Sequence, residues 1–126
     1  MNIPNLQGRK ILIADDSSSS LLLLNAFLEP TGALVLEAKN GLKVLELFSQ
    51  HPDIDLIVLD IFMPELDGIE TVKRIREINK TLPVIAQTAF VTKVDEERCL
   101  SAGFSAYLAK PIDLNLFYDT LWHFLG

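Results

Sequence analysis

Apolar and polar positions along the chain fall into two alternating kinds of segment. The stretches KILIA (10–14), ALVLEA (33–38), DLIVLD (55–60), PVIAQT (83–88) and SAYLA (105–109) are short and mostly apolar on both faces. That is the signature of a parallel strand covered on both sides. Between them, segments near 18–29, 41–50, 67–78, 93–102 and 113–125 space their apolar residues as helices do. Asn40-Gly41, Pro64, Asp67-Gly68, Gly103 and Pro111 punctuate the joins. Five strand–helix repeats predict an α/β protein, a five-stranded parallel sheet with helices on both faces. Residues 1–9 read as an N-terminal lead-in, loose over 1–8, and 10–126 as one domain. No linker, repeat or low-complexity tract interrupts it.

The first helix contains four consecutive leucines. Ser17 and Ser18 are its N-cap candidates. At 100° per residue, Ser20, Leu23, Leu24, Phe27 and Leu28 share one face, opposite Asn25 and Glu29. Leu21 falls at the margin and Leu22 among the polar positions. An exposed leucine is ordinary on a soluble protein; it is also what a docking patch offers. Leu116 likewise falls opposite the apolar face of the last helix, which is formed by Leu114, Phe117, Leu121 and Leu125.

Composition narrows the setting. The chain has 126 residues, 49% of them hydrophobic, enough for a single domain with its own core. The net charge of −6 lacks the basic footprint of a nucleic-acid or anionic-membrane binder. The leucine run is far shorter than the roughly 20 apolar residues a membrane span needs. Asp15 and Asp16 cut short any signal-peptide core after Arg9 and Lys10. With the lone Cys99 unable to form an internal disulfide, a reducing, cytoplasmic setting is expected.

The chemistry is expected at strand ends. Asp15 and Asp16 follow the first strand, Asp60 ends the third, Thr88 the fourth, and Lys110 follows the fifth. In an open parallel sheet, ligands bind at the carboxyl ends of strands where the winding direction reverses. In the strand order 2-1-3-4-5, the first and third strands meet there, and three carboxylates converge. They would repel unless a cation joined them. An all-oxygen set with few carboxylates suits Mg²⁺. Three aspartates, one divalent ion and one lysine sum to neutrality, so a phosphoryl group is admissible. Lysine supplies a point charge for phosphate oxygens and threonine a hydroxyl donor, while an aspartate can be the nucleophile.

Taken jointly, ILIADD (11–16), LIVLDIFMPELDG (56–68), TA (88–89) and AGFSAYLAKP (102–111) resemble the receiver domains of two-component response regulators. The resemblance runs from about Lys10 to Leu125. It implies a flavodoxin-like (βα)5 fold in the order 2-1-3-4-5. Asp60 then matches the acceptor of a phosphoryl group from a phosphohistidine. Asp16 matches the direct Mg²⁺ (or Mn²⁺) ligand, Asp15 its mostly water-mediated companion, and the Phe62 carbonyl a further ligand. Lys110 matches the lysine that contacts the phosphoryl group, and its bond to Pro111 is expected to be cis. Thr88 and Tyr107 match the switch pair that rearranges the face of the fourth helix, fifth strand and fifth helix. The implied partners are a sensor histidine kinase or histidine phosphotransfer protein and a downstream protein target. No nucleic acid or membrane is among them, and the chain is a monomer or weak homodimer.

Within that class the role stays open between a stand-alone receiver, a phosphorelay member and a receiver excised from a hybrid kinase. Such a chain catalyses only its own phosphorylation and slow dephosphorylation. Phe62 and Phe90 lie two residues after Asp60 and Thr88. Resemblance places both beside the path of the hydrolytic water, where neither ring can orient it. Slow self-dephosphorylation is the expectation. Three rival readings are weaker. A haloacid-dehalogenase-type aspartyl-phosphate phosphatase wants D-x-D after the first strand. A dinucleotide-binding domain wants G-x-G-x-x-G there. An unphosphorylated docking module would not need the intact acids, Thr88 and Lys110.

Overall fold

The computed structural model describes residues 3–89 and 92–126. Five parallel strands, β1 (Lys10–Ala14), β2 (Leu34–Ala38), β3 (Leu56–Asp60), β4 (Val84–Thr88) and β5 (Ala106–Ala109), form one sheet in the order β2-β1-β3-β4-β5. Helices α1 (Ser18–Leu28), α2 (Gly41–Gln50), α3 (Gly68–Ile78), α4 (Lys93–Ala102) and α5 (Leu114–Leu125) connect and follow them. The α/β class and strand order are those expected, and every element lies within about one residue of its expected bounds.

Strand alternation divides the core into two layers. Leu12, Ile57, Leu59, Val84 and Ala86 point to one face, where they pack with Val44 of α2, Val72 and Ile75 of α3 and Cys99 of α4. Ile11, Ile13, Leu56, Val58 and Ile85 point to the other, against Leu24 and Leu28 of α1 and Phe117 and Leu121 of α5. All five residues of β3 and of β4 are buried, as central parallel strands must be. β2 is an edge strand, and its Leu34 is 62% exposed.

Each helix starts on a side-chain cap: Ser17, Asn40, Asp67, Thr92 and Asp113 accept from backbone N–H groups three residues on. Helix α1 stops before Pro30, which has no N–H to continue the ladder, and a 3₁₀ turn (Glu29–Thr31) follows.

Packing departs from expectation at three places. In α1 the buried residues are Leu21, Leu24 and Leu28, whereas Leu23 is 42% exposed. Four consecutive leucines carry little directional information, so the seat of the helix on the sheet chooses the stripe. Leu22 is 72% exposed, as expected. On α5, Tyr118 is buried too, and its hydroxyl donates to the Phe27 carbonyl at 2.7 Å. The lead-in is not loose throughout. Leu6 is 2% exposed within the α1/α5 core, and its N–H donates to the Thr31 carbonyl at 2.8 Å.

Candidate functional site

The carboxyl ends of β1, β3, β4 and β5 come together on one edge of the sheet. Asp15, Asp16 and Asp60 each offer a carboxylate oxygen within 4.8 Å of the others. Asp15 is wholly buried and Asp60 is 5% exposed, while Asp16 faces solvent. The Lys110 ammonium bridges the two buried acids, donating to Asp15 Oδ2 at 2.7 Å and to Asp60 Oδ2 at 3.2 Å.

Local chain geometry fixes these groups. The Ser17 N–H donates to Asp15 Oδ1 at 2.9 Å and so ties the acid to the cap of α1. The Phe62 N–H donates to Asp60 Oδ1 at 3.3 Å. Gly68 begins α3 directly against the phosphoacceptor-candidate strand. A Cβ there would press on the Asp60 carbonyl oxygen and lie 2.8 Å from Ile61 Cα, so only glycine lets the helix seat so closely. The Lys110 N–H donates to the Thr88 carbonyl at 2.8 Å, and the Lys110–Pro111 peptide is cis, as the resemblance implied.

The electrostatics follow from burial. Desolvation pushes the Asp60 carboxyl above its ordinary value and the Asp15 charge pushes the same way; Lys110 and the Phe62 N–H pull against them. Burial alone would lower the Lys110 ammonium, but its contacts with Asp15 and Asp60 outweigh it and hold the group above its ordinary value. Three carboxylates around one lysine leave excess negative charge in a partly dry crevice. A hard divalent cation would relieve that charge, and the donor set is entirely oxygen. The residues therefore fit Mg²⁺.

The other expected site residues divide. Thr88, 1% exposed, ends β4 and lines a cavity of about 50 Å³ with Ile61, Phe62, Ile69 and Cys99. Tyr107 pairs with Ala86 across β4 and β5. Its hydroxyl is buried and has no hydrogen-bond partner among the described residues. Phe62, whose N–H meets Asp60, is 57% exposed and lines the same cavity as Thr88. Phe90 lies outside the described residues.

Two features escaped the sequence. Gln87 read as one more strand residue, yet it is 1% exposed and its amide donates to Asp15 Oδ2 at 3.3 Å. Its signal was a lone amide in an apolar strand beside Thr88. A groove of about 420 Å³ also opens beside Lys110, lined by Ser20, Leu23, Gln87, Pro111 and Ile112. Leu23, which the sequence put on the helix's apolar face, is one of the residues that line it.

An acidic, lysine-bridged crevice at the strand switch point places this protein among the flavodoxin-like doubly wound folds that bind at that position. The chain belongs to the response regulator receiver domain family, whose profile matches residues 11–121. It is 36% identical over 120 residues to the polar-differentiation response regulator DivK of Brucella anthropi, covering 94% of this chain and 97% of that one. Among solved structures it is similar to that of the Saccharomyces cerevisiae histidine phosphotransfer signaling protein Ypd1 with the receiver domain of its downstream response regulator Ssk1. There the TM-score is 0.88 at 25% identity, covering 98% of this chain and 91% of that one. It is also similar to the CheX–CheY–BeF3–Mg²⁺ complex of Borrelia burgdorferi, with a TM-score of 0.86 at 28% identity over 94% and 90% of the two chains.

Proposed function

We propose that this receiver domain is a phosphoryl-accepting switch in which Asp60 is the acceptor. An Asp60 carboxylate oxygen attacks the phosphorus of a phosphohistidine. The new O–P bond forms as the N–P bond breaks, and the imidazole nitrogen keeps the electron pair. The observation that carries this reading is the convergence of Asp15, Asp16 and Asp60 on one point, with Lys110 in contact with the two buried acids. Asp15, Asp16, Asp60 and the Phe62 carbonyl would hold Mg²⁺ (or Mn²⁺). When bound, the ion neutralises carboxylate and phosphoryl oxygens that would otherwise repel. Lys110 sits where its ammonium can turn from Asp15 to the incoming oxygens, and the reaction needs positioning and charge neutralisation more than acid–base chemistry.

The donor is a sensor histidine kinase or a histidine phosphotransfer protein. The similarity to a receiver crystallised with Ypd1 supports that class of partner. Leu23 of α1 and the exposed Pro111 after β5 line a groove beside Lys110, and Leu22 stands 72% exposed on the same helix, which supports docking of a helix near the mouth of the site. Phosphorylation then biases a pre-existing equilibrium of the α4–β5–α5 face through Thr88 and Tyr107. The Tyr107 hydroxyl, buried and without a hydrogen-bond partner among the described residues, supports this, because an unsatisfied buried hydroxyl is costly and a turn of the ring would relieve it. The exposed Phe62 ring obstructs hydrolytic water and slows loss of the phosphoryl group.

The direct test is mass spectrometry after incubation with a small phosphodonor and Mg²⁺. Wild type gains one phosphoryl group and Asp60→Asn gains none. Equal labelling of the two proteins removes Asp60 from the role.

A further inference from the structure

Gln87 is the one buried side-chain amide at the site among the described residues, at 1% exposed. A buried amide is costly unless bonded, and this one has two partners. Its Nε2 donates to the Ala14 carbonyl and to Asp15 Oδ2, each at 3.3 Å. Both partners are pure acceptors, so the amide must present its nitrogen to them. The strand register sets Gln87 beside Asp60, and β3 separates β4 from β1. The side chain therefore crosses over the strand that carries Asp60 to reach the acid that follows β1.

Asp15 is wholly buried and accepts from three donors: the Ser17 N–H at Oδ1, and Lys110 and Gln87 at Oδ2. Lys110 is shared with Asp60. A lysine that turns toward a phosphoryl group on Asp60 leaves Asp15 Oδ2 without its charged partner. Gln87 is neutral, lies in β4 and is also bonded to the Ala14 carbonyl, so it stays.

We infer that Gln87 is a positioning residue that holds the Asp15 carboxylate in the orientation it presents to the divalent ion and its bound water, and keeps it there while Lys110 serves the phosphoryl group. This rests on the metal-dependent reading of the site. Hydrogen-bond partners behind a metal-binding carboxylate are typically worth about 10–100-fold in metal affinity.

The test is Mg²⁺ titration by calorimetry on the wild-type chain, Gln87→Met and Asp16→Asn, with urea unfolding of each in chelator. Methionine keeps length and apolar bulk but donates nothing. Gln87→Met is expected to raise the Mg²⁺ Kd about 10-fold while its metal-free unfolding midpoint stays near wild type. Wild-type affinity in Gln87→Met, with Asp16→Asn impaired, overturns the role of Gln87 alone. No Mg²⁺ binding by wild type, or none lost in Asp16→Asn, overturns the metal reading as well. A second measurement uses wild type only. The Gln87 side-chain amide protons should exchange slowly with solvent and shift when Mg²⁺ is added. Fast exchange with no shift overturns the inference whether or not the variant folds.

Discussion

Asp60→Asn should make the metal-free protein more stable, and Mg²⁺ should erase the advantage. Asp60 is 5% exposed, and one of its oxygens lies within 4.8 Å of a carboxylate oxygen on each of Asp15 and Asp16. At an effective dielectric of about 20, each repulsion at that separation is about 3.5 kcal/mol, against about 5 kcal/mol of attraction to Lys110 at its contact distance. Solvent screens the exposed Asp16, which trims its share. Burial adds to the penalty, in keeping with the raised carboxyl. The ionised side chain therefore costs the fold about 1–2 kcal/mol, which asparagine, of the same shape, avoids. Urea unfolding in chelator should show the variant's midpoint higher by roughly 0.5–1 M. Mg²⁺ at 100 times its Kd should stabilise wild type by about 2.7 kcal/mol and the variant by much less. The sign with pH is also determined. A carboxyl raised in the folded state contributes stability that is full below its unfolded value, near 3.9, and lost as pH rises through the folded value. The advantage of Asp60→Asn should therefore shrink on acidification and grow toward neutrality. A variant less stable than wild type in chelator, or equally stabilised by Mg²⁺, refutes the electrostatic reasoning.

Four further outcomes are expected. Gly68→Ala forces a Cβ onto the Asp60–Ile61 backbone and should cost about 1–3 kcal/mol in urea unfolding, with Mg²⁺ affinity reduced; an unchanged midpoint would show that α3 can lift away. Leu22→Glu and Leu23→Glu should slow phosphotransfer from a phosphohistidine protein and leave Mg²⁺ affinity as in wild type; transfer at the wild-type rate by both puts the docking surface elsewhere. Phe62→Asn should shorten the phosphoryl lifetime, measured by loss of label after donor removal, and an unchanged lifetime would clear the ring of obstructing water. Lys110 is held above its ordinary value, so its contribution is full below about 10.4, the unfolded value, and is lost as pH rises through the folded one. Alkaline unfolding of wild type should therefore show a stability loss in that window that Lys110→Met lacks.

Much of this molecule is readable along the chain because its signals are local. The apolar runs that became β1 to β5 have a strand's length and composition, Ser17 announces the helix it caps, and Asn40-Gly41 and Asp67-Gly68 mark the joins where α2 and α3 begin. The acids at 15, 16 and 60 and the lysine at 110 stand at strand ends, so a parallel sheet wound in one order brings them to one edge without further information. Other features were settled only by packing. Which leucines of α1 face inward depends on how the helix seats, because four alike in a row define no stripe; Leu21 went in and Leu23 came out beside Lys110. Leu6 reached the core from a stretch with no periodicity. Gln87 touches Asp15 because β1 and β4 flank β3 and the side chain reaches across it. Periodicity and capping are properties of neighbours in sequence. Contacts across a sheet depend on register and on the rotation of each helix, and those are fixed only when every element competes for the same buried space.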